Sequence, residues 1–256
     1  MDPETDGFGV ARRRWLAGMS SFAVYAFLSE AGRAFGAGSG TASHWVGRQA
    51  EIALALKHGE LGPAAWMDEV ERLARETDRA ELMAMVHASR ITPAPAGGSN
   101  DPRKRFVEFL DAEGRPRRLP YGAALFAFAP DNVVTPHGHR HMASAHLVVE
   151  GRFRVRTFDR VGDEPHAMLI RPREDAIVAA GGISTMSSER NNIHWFVPQG
   201  GPATTFDVIV TGLDSGAPDY EIQAVDPMGG ERRAGAVIAA PIIDFERAGR
   251  LYTREA

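Results

Sequence analysis

The stretch "VTPHGHRHMASAHLVVEG", residues 134–151, holds four of the chain's nine histidines, His137, His139, His141 and His146, and ends on Gly151. Side chains two apart on a β-strand share a face. His137, His139 and His141 could therefore all point into one interior. Neutral imidazole is the commonest protein metal ligand. A single His on an apolar strand is more often structural, whereas an HxH pair at the start of a strand is much less often so. A third ligand should come from another strand. His194, in "NNIHWF" (191–196), lies on a later apolar segment and is the natural candidate. His44, His58 and His87 fall in helical sequence, and His166 follows "GDEP" in a turn, so these four stand apart from the metal hypothesis.

The sequence around this stretch reads as β-structure. From about residue 104, "RFVEFLD", "GAALFAFAP", "HLVVEGRFRVRTFD", "HAMLIRP", "AIVAAGG", "NIHWFVP" and "ATTFDVIVTG" follow one another as short strands. Gly, Pro, Asp and Asn separate them, and no long helical pattern intervenes. Many short strands at regular spacing indicate a β-sandwich or barrel. Residues 43–90 read instead as helices. "PAAWMDEVERLARET" starts with Pro63, suited to a first helical turn, and "DRAELMAMV" pairs Asp78 with Glu81 in a capping-box arrangement. Trp66, Val70, Leu73, Leu82 and Val86 supply the buried stripe. "ITPAPAGGSNDP" breaks the pattern and reads as a linker, residues 91–103, leaving 104–256 as a β-barrel with a C-terminal extension.

The N-terminal segment reads as an address. Arg12, Arg13 and Arg14 precede the short apolar run "WLAGMSSFAVYAFL", and the small-residue stretch "GAGSGTAS" offers a cleavage site ending at Ala42. "RRRWL" resembles a twin-arginine signal. This makes residues 1–42 an export signal with a flexible segment and predicts an exported, periplasmic bacterial protein. The alternative is a cytoplasmic protein that keeps an amphipathic N-terminal helix. The apolar run is too short for a stable membrane span. A net charge of −4 without a polybasic face argues against sequence-independent nucleic-acid binding. The chain has no Cys. Any metal must then be held by His, Asp or Glu, and any thiol chemistry must use a substrate thiol.

"HGHRHMASAHLVVEGRFRV" (137–155) resembles the first cupin motif, and "SSERNNIHWF" (187–196) resembles the second, which supplies one more His. The resemblance covers roughly residues 104–225. It implies a cupin-type double-stranded β-helix, a jelly-roll barrel, carrying the N-terminal helices. Gly151 stands twelve residues after His139 and ten after His141. The first spacing fits the motif better and selects His137 and His139, completed by His194. Ser144 then occupies the place where many cupins carry a Glu ligand. The competing register uses His139 and His141, with His146 in the Glu slot.

A three-His cupin without the Glu resembles the thiol dioxygenases, most closely the plant cysteine oxidase and cysteamine dioxygenase group. "HGH", Gly151, "RTFD", "NIH" and "FDVIV" stand in the order of that group's motifs, although "RNNIH" replaces the Gly-Gly that tends to precede "NIH" there. The resemblance implies a non-haem Fe(II) enzyme that adds dioxygen to a small or peptide-terminal thiol, giving a sulfinic acid. Three neutral imidazoles leave the iron its full charge, which favours an anionic thiolate. The same ligands could hold Zn, Mn, Ni or Cu for isomerase, hydrolase or non-thiol dioxygenase chemistry, and a non-catalytic binding or sensor protein is the alternative of another class. Asp207 in "FDVIV" could orient a His ring or a substrate amine. Tyr121 in "LPYGAAL" could reach the site from an early strand, and Arg118 could bind a carboxylate, though "RPRR" reads as a solvated turn.

Overall fold

A computed structural model describes residues 41–95 and 101–252. Of the residues read as an export signal with a flexible segment, 1–42, residues 1–40 lie outside the described residues, whereas Thr41 and Ala42 open a helix in which Ala42 is buried. Among those described, no helix is long and apolar enough to cross a membrane. Among the described residues three helices come first: α1 (Thr41–Lys57), α2 (Pro63–Glu76) and α3 (Arg79–His87). Pro63 opens α2, where its missing N–H costs nothing. Asp78 caps α3 by accepting from the Glu81 N–H at 2.8 Å. The second half of the capping box is diverted, because the Glu81 carboxylate accepts from the Thr41 N–H at 3.1 Å. That bond ties α1 to α3.

Thirteen strands follow in two antiparallel sheets. The first contains, in spatial order, β1 (Arg90–Pro93), β2 (Arg103–Glu108), β3 (Gly122–Phe128), β10 (Ala203–Thr211), β5 (Met142–Glu150) and β8 (Ile183–Met186). The second contains β11 (Glu221–Val225), β4 (Val134–Arg140), β9 (Ile193–Pro198), β6 (Arg152–Glu164), β7 (Ala167–Ala179), β13 (Ile238–Ile243) and β12 (Glu231–Arg232). The chain changes sheet between β3 and β4, β4 and β5, β5 and β6, β7 and β8, β8 and β9, β9 and β10, and β10 and β11. Four strands, β3-β10-β5-β8, thus face β4-β9-β6-β7, the double Greek key of a jelly roll. The double-stranded β-helix with N-terminal helices expected from the motifs is the observed fold.

Alternation along the first sheet builds two environments. One face presents Leu125, Ala145, Leu147, Phe206, Val208 and Val210, which share a core with Trp45, Trp66, Val70, Leu73, Leu82 and Val86 of the helices. Burying each large side chain contributes roughly 1.5–3 kcal/mol. The helices therefore seal the outside of the barrel with a common core. The other face looks into the barrel. On the far side, a C-terminal helix α4 (Phe245–Tyr252) covers the second sheet, with Tyr252 4.8 Å from the Trp195 ring.

Three details differ from the sequence reading. Part of the segment read as a linker forms β1, which pairs with β2 from Arg90↔Glu108 to Pro93↔Arg105. "HAMLIRP" and "AIVAAGG" lie mostly within one continuous strand, β7, because Pro172 sits opposite Phe158 at a register shift, where β7 carries the extra residue Arg173. Helix α4 had no sequence expectation.

Candidate metal centre

The HxH pair lies on β4, and β4 pairs with β9 so that His137 stands directly opposite His194. Such opposed side chains are near neighbours on one face, and His139 shares that face two residues on. The His194 Nε2 lies 3.2 Å from the His137 Nε2 and 3.4 Å from the His139 Nε2. Donors bound to one ion at about 2.1 Å lie about 3.0 Å apart at right angles and about 3.4 Å apart at tetrahedral angles. Both of these separations fall within that range, and the three histidines form a group that could hold a metal ion.

The surroundings suit neutral, lone-pair nitrogens. The His137 Nδ1 donates to the Thr135 carbonyl at 2.7 Å, which leaves its Nε2 as an acceptor. The His139 Nδ1 lies 3.1 Å from the Met142 sulfur. Burial pushes the His137 pKa down to about 4, helped by the nearby His146 ring. Burial pushes His139 and His194 well down too, and the neighbouring imidazoles add to the effect. Metal ligation requires this neutral form.

Asn192 was not singled out in the sequence and proves to be part of the support. Its Nδ2 donates to the His139 carbonyl at 2.8 Å and to the Ser187 carbonyl at 3.2 Å. It clasps the ligand strand to the turn before β9. Asn191 has φ of 53°, in the left-handed region, where Asn is among the better tolerated residues after Gly. That accounts for an Asn at position 191. Gly151 turns β5 into β6 with φ of 71°, and a Cβ there would lie 2.6 Å from the Pro202 carbonyl oxygen.

Facing the triad across the barrel is a hydrogen-bonded relay. β10 pairs with β5 so that Asp207 stands opposite His146 and Ile209 opposite Ser144. The His146 Nδ1 donates to the Asp207 Oδ2 at 2.7 Å, and the His146 Nε2 accepts from the Ser144 hydroxyl at 2.9 Å. The His146 and His194 rings are 4.8 Å apart. Asp207 thus orients His146, not one of the three converging histidines. Both the relay and the triad line a cavity of about 440 Å³, walled by Phe126, Phe128, Phe196, Val134 and Ile209.

The other candidates lie elsewhere. His141 does not continue the alternation, because β4 ends at Arg140 and His141 has φ of 60° at the corner where the chain crosses to β5. Its ring turns towards Asp214, 3.6 Å away. The register built on His141 and His146 as ligands is therefore not the arrangement formed. Tyr121 does not reach the cavity. Its hydroxyl donates to the Val46 carbonyl at 3.3 Å, on the helix side of the sheet, where burial pushes the phenol pKa up. Arg118 lines a separate surface cleft.

No protein-family model matches the chain, and no curated protein matches it. Among solved structures, the chain is similar to procruciferin, an 11S globulin from Brassica napus (13% identity, 51% of this chain, TM-score 0.36). It is similar also to KdgF from Halomonas sp. (16% identity, 48% of this chain and 86% of that one, TM-score 0.33). A third is a Klebsiella pneumoniae protein with a double-stranded β-helix domain (15% identity, 50% of this chain and 83% of that one, TM-score 0.31). The match spans 29% of the procruciferin chain.

Proposed function

We propose that the chain is a metal-dependent cupin oxygenase that holds Fe(II) through His137, His139 and His194 and converts a thiol and dioxygen to a sulfinic acid. The observation that carries this reading is an all-imidazole donor set, and the resemblance to the first cupin motif puts Ser144 where many cupins carry a ligand Glu. His137, His139 and His194 would hold the iron, which would supply a cationic site favouring an anionic thiolate. The balance is RSH plus O2 giving RSO2H, with no external reductant. The protein's own groups do the rest. The apolar walls keep water from the centre. The Asp207 carboxylate holds the proton on His146 Nδ1, and His146 Nε2 fixes the direction of the Ser144 O–H. The Ser144 oxygen can then accept a hydrogen bond from bound substrate. The twin-arginine-like segment supports export of the folded, metal-loaded chain.

Oxygen uptake by anaerobically Fe(II)-loaded protein, screened with cysteine, cysteamine, mercapto acids and N-terminal-Cys peptides, tests the proposal. A second reading rests on the relay. Ser144, His146 and Asp207 have the hydrogen-bond order of a hydrolytic triad, which favours a metal-assisted hydrolase as the alternative. Ser144→Ala separates the two. Thiol oxidation falls but persists under the first, whereas ester hydrolysis is abolished under the second.

A further inference from the structure

Two charged side chains line the cavity, Lys104 and Asp207. Both come from the inner face of the first sheet, where Lys104 stands opposite Phe126 and Asp207 opposite Ala124. Asp207 is already engaged by His146 at 2.7 Å. Lys104 is half-buried, and its Nζ lies 4.9 Å from the centre of the Phe106 ring and 5.3 Å from that of Phe126. Burial lowers the Lys104 pKa, and Asp207 acts on it in the opposite direction without ion-pair contact. Ring faces attract an ammonium, but they do not replace the water or the counter-charge it has lost.

Phenylalanine and alanine side chains make up much of the remaining lining on this side of the cavity. Phe106 and Tyr220 line the cavity and are 41% and 55% exposed, which marks this end as the mouth. Lys104 stands on β2, three strands across the sheet from His146 on β5, whose ring meets that of His194, and neighbouring strands lie about 4.8 Å apart. A molecule reaching from the mouth to the centre is therefore on the order of 10 Å long, with an apolar body and an anionic outer end.

We infer that the cavity takes an elongated monocarboxylic acid, its carboxylate paired with Lys104 at the mouth and its apolar chain running between the Phe rings towards the histidine centre. This deepens the proposed function, which supplies the reacting end, a thiol at the far terminus of the acid. The anion site itself needs neither the metal nor the thiol.

The test uses octanoate and its neutral counterpart octanamide, titrated calorimetrically into metal-free protein. Wild type should bind octanoate about 10- to 100-fold more tightly than octanamide, the range a charge-assisted contact gives. Lys104→Met, which keeps an apolar stem, should erase that preference, and Lys104→Arg should retain it. Equal affinity of wild type for the two probes, or binding of neither, overturns the inference and does not depend on how any variant folds. Octanoate preference in a protein that oxidises no ω-mercapto acid when Fe(II)-loaded would leave the anion site standing and remove the thiol reading.

Discussion

If three imidazoles hold one metal ion, the ion must stabilise the folded chain, and His139→Ala must abolish most of that stabilisation. His139 is 5% exposed, and its Nε2 faces the His194 Nε2 at 3.4 Å. Free metal at a hundred times its Kd stabilises a folded state by about 2.7 kcal/mol. For a domain of this size each kcal/mol moves the melting temperature by about 2–4 °C, so the wild type should rise by about 5–11 °C. A hundredfold loss of affinity at the same metal concentration leaves RT ln 2, about 0.4 kcal/mol, or about 1–2 °C. Scanning calorimetry with Zn(II), which avoids oxidation, measures both. His58→Ala serves as the control, because its imidazole is exposed at the end of α1 and lies near Glu60. A full shift retained by His139→Ala, or none in the wild type, refutes the assignment of the donors.

Other expectations follow from named contacts. His141→Ala should leave metal affinity unchanged by isothermal titration, since that ring faces Asp214 and not the triad. Asn192→Ala leaves the His139 and Ser187 carbonyls without their donor, which should cost about 1–3 kcal/mol in urea unfolding and weaken metal binding. Gly151→Ala combines a left-handed backbone with a Cβ 2.6 Å from the Pro202 carbonyl oxygen. It should lose roughly 2–5 kcal/mol in the same assay.

Strand alternation and the position of Gly151 made the barrel and the pair His137 and His139 legible in the sequence. His194 was legible as a lone His on an apolar segment, because such segments become inner strands. What could not be read is register across the sheets. Nothing local in the sequence indicates that Asp207 stands opposite His146, or that Lys104 on β2 faces the same cavity from three strands away from β5. The turn at His141 was hidden for a different reason. An HxHxH pattern fits an unbroken strand, whereas the chain crosses between sheets there and reverses the direction of the third ring. Tyr121 went astray because β3 has two buried faces. Tyr121 and Leu125 pack in the core shared with the helices, while Ala124, Phe126 and Phe128 line the cavity.

Thiol oxygenation at the three-histidine centre is tested most directly by supplying Fe(II)-loaded protein with 18O2 and the thiol panel and weighing the product. A sulfinic acid carrying two heavy oxygens, formed by the wild type and absent with His194→Ala, is the expected result. Disulfide as the sole product, a sulfinic acid with oxygen from water, or undiminished turnover in His194→Ala would contradict it.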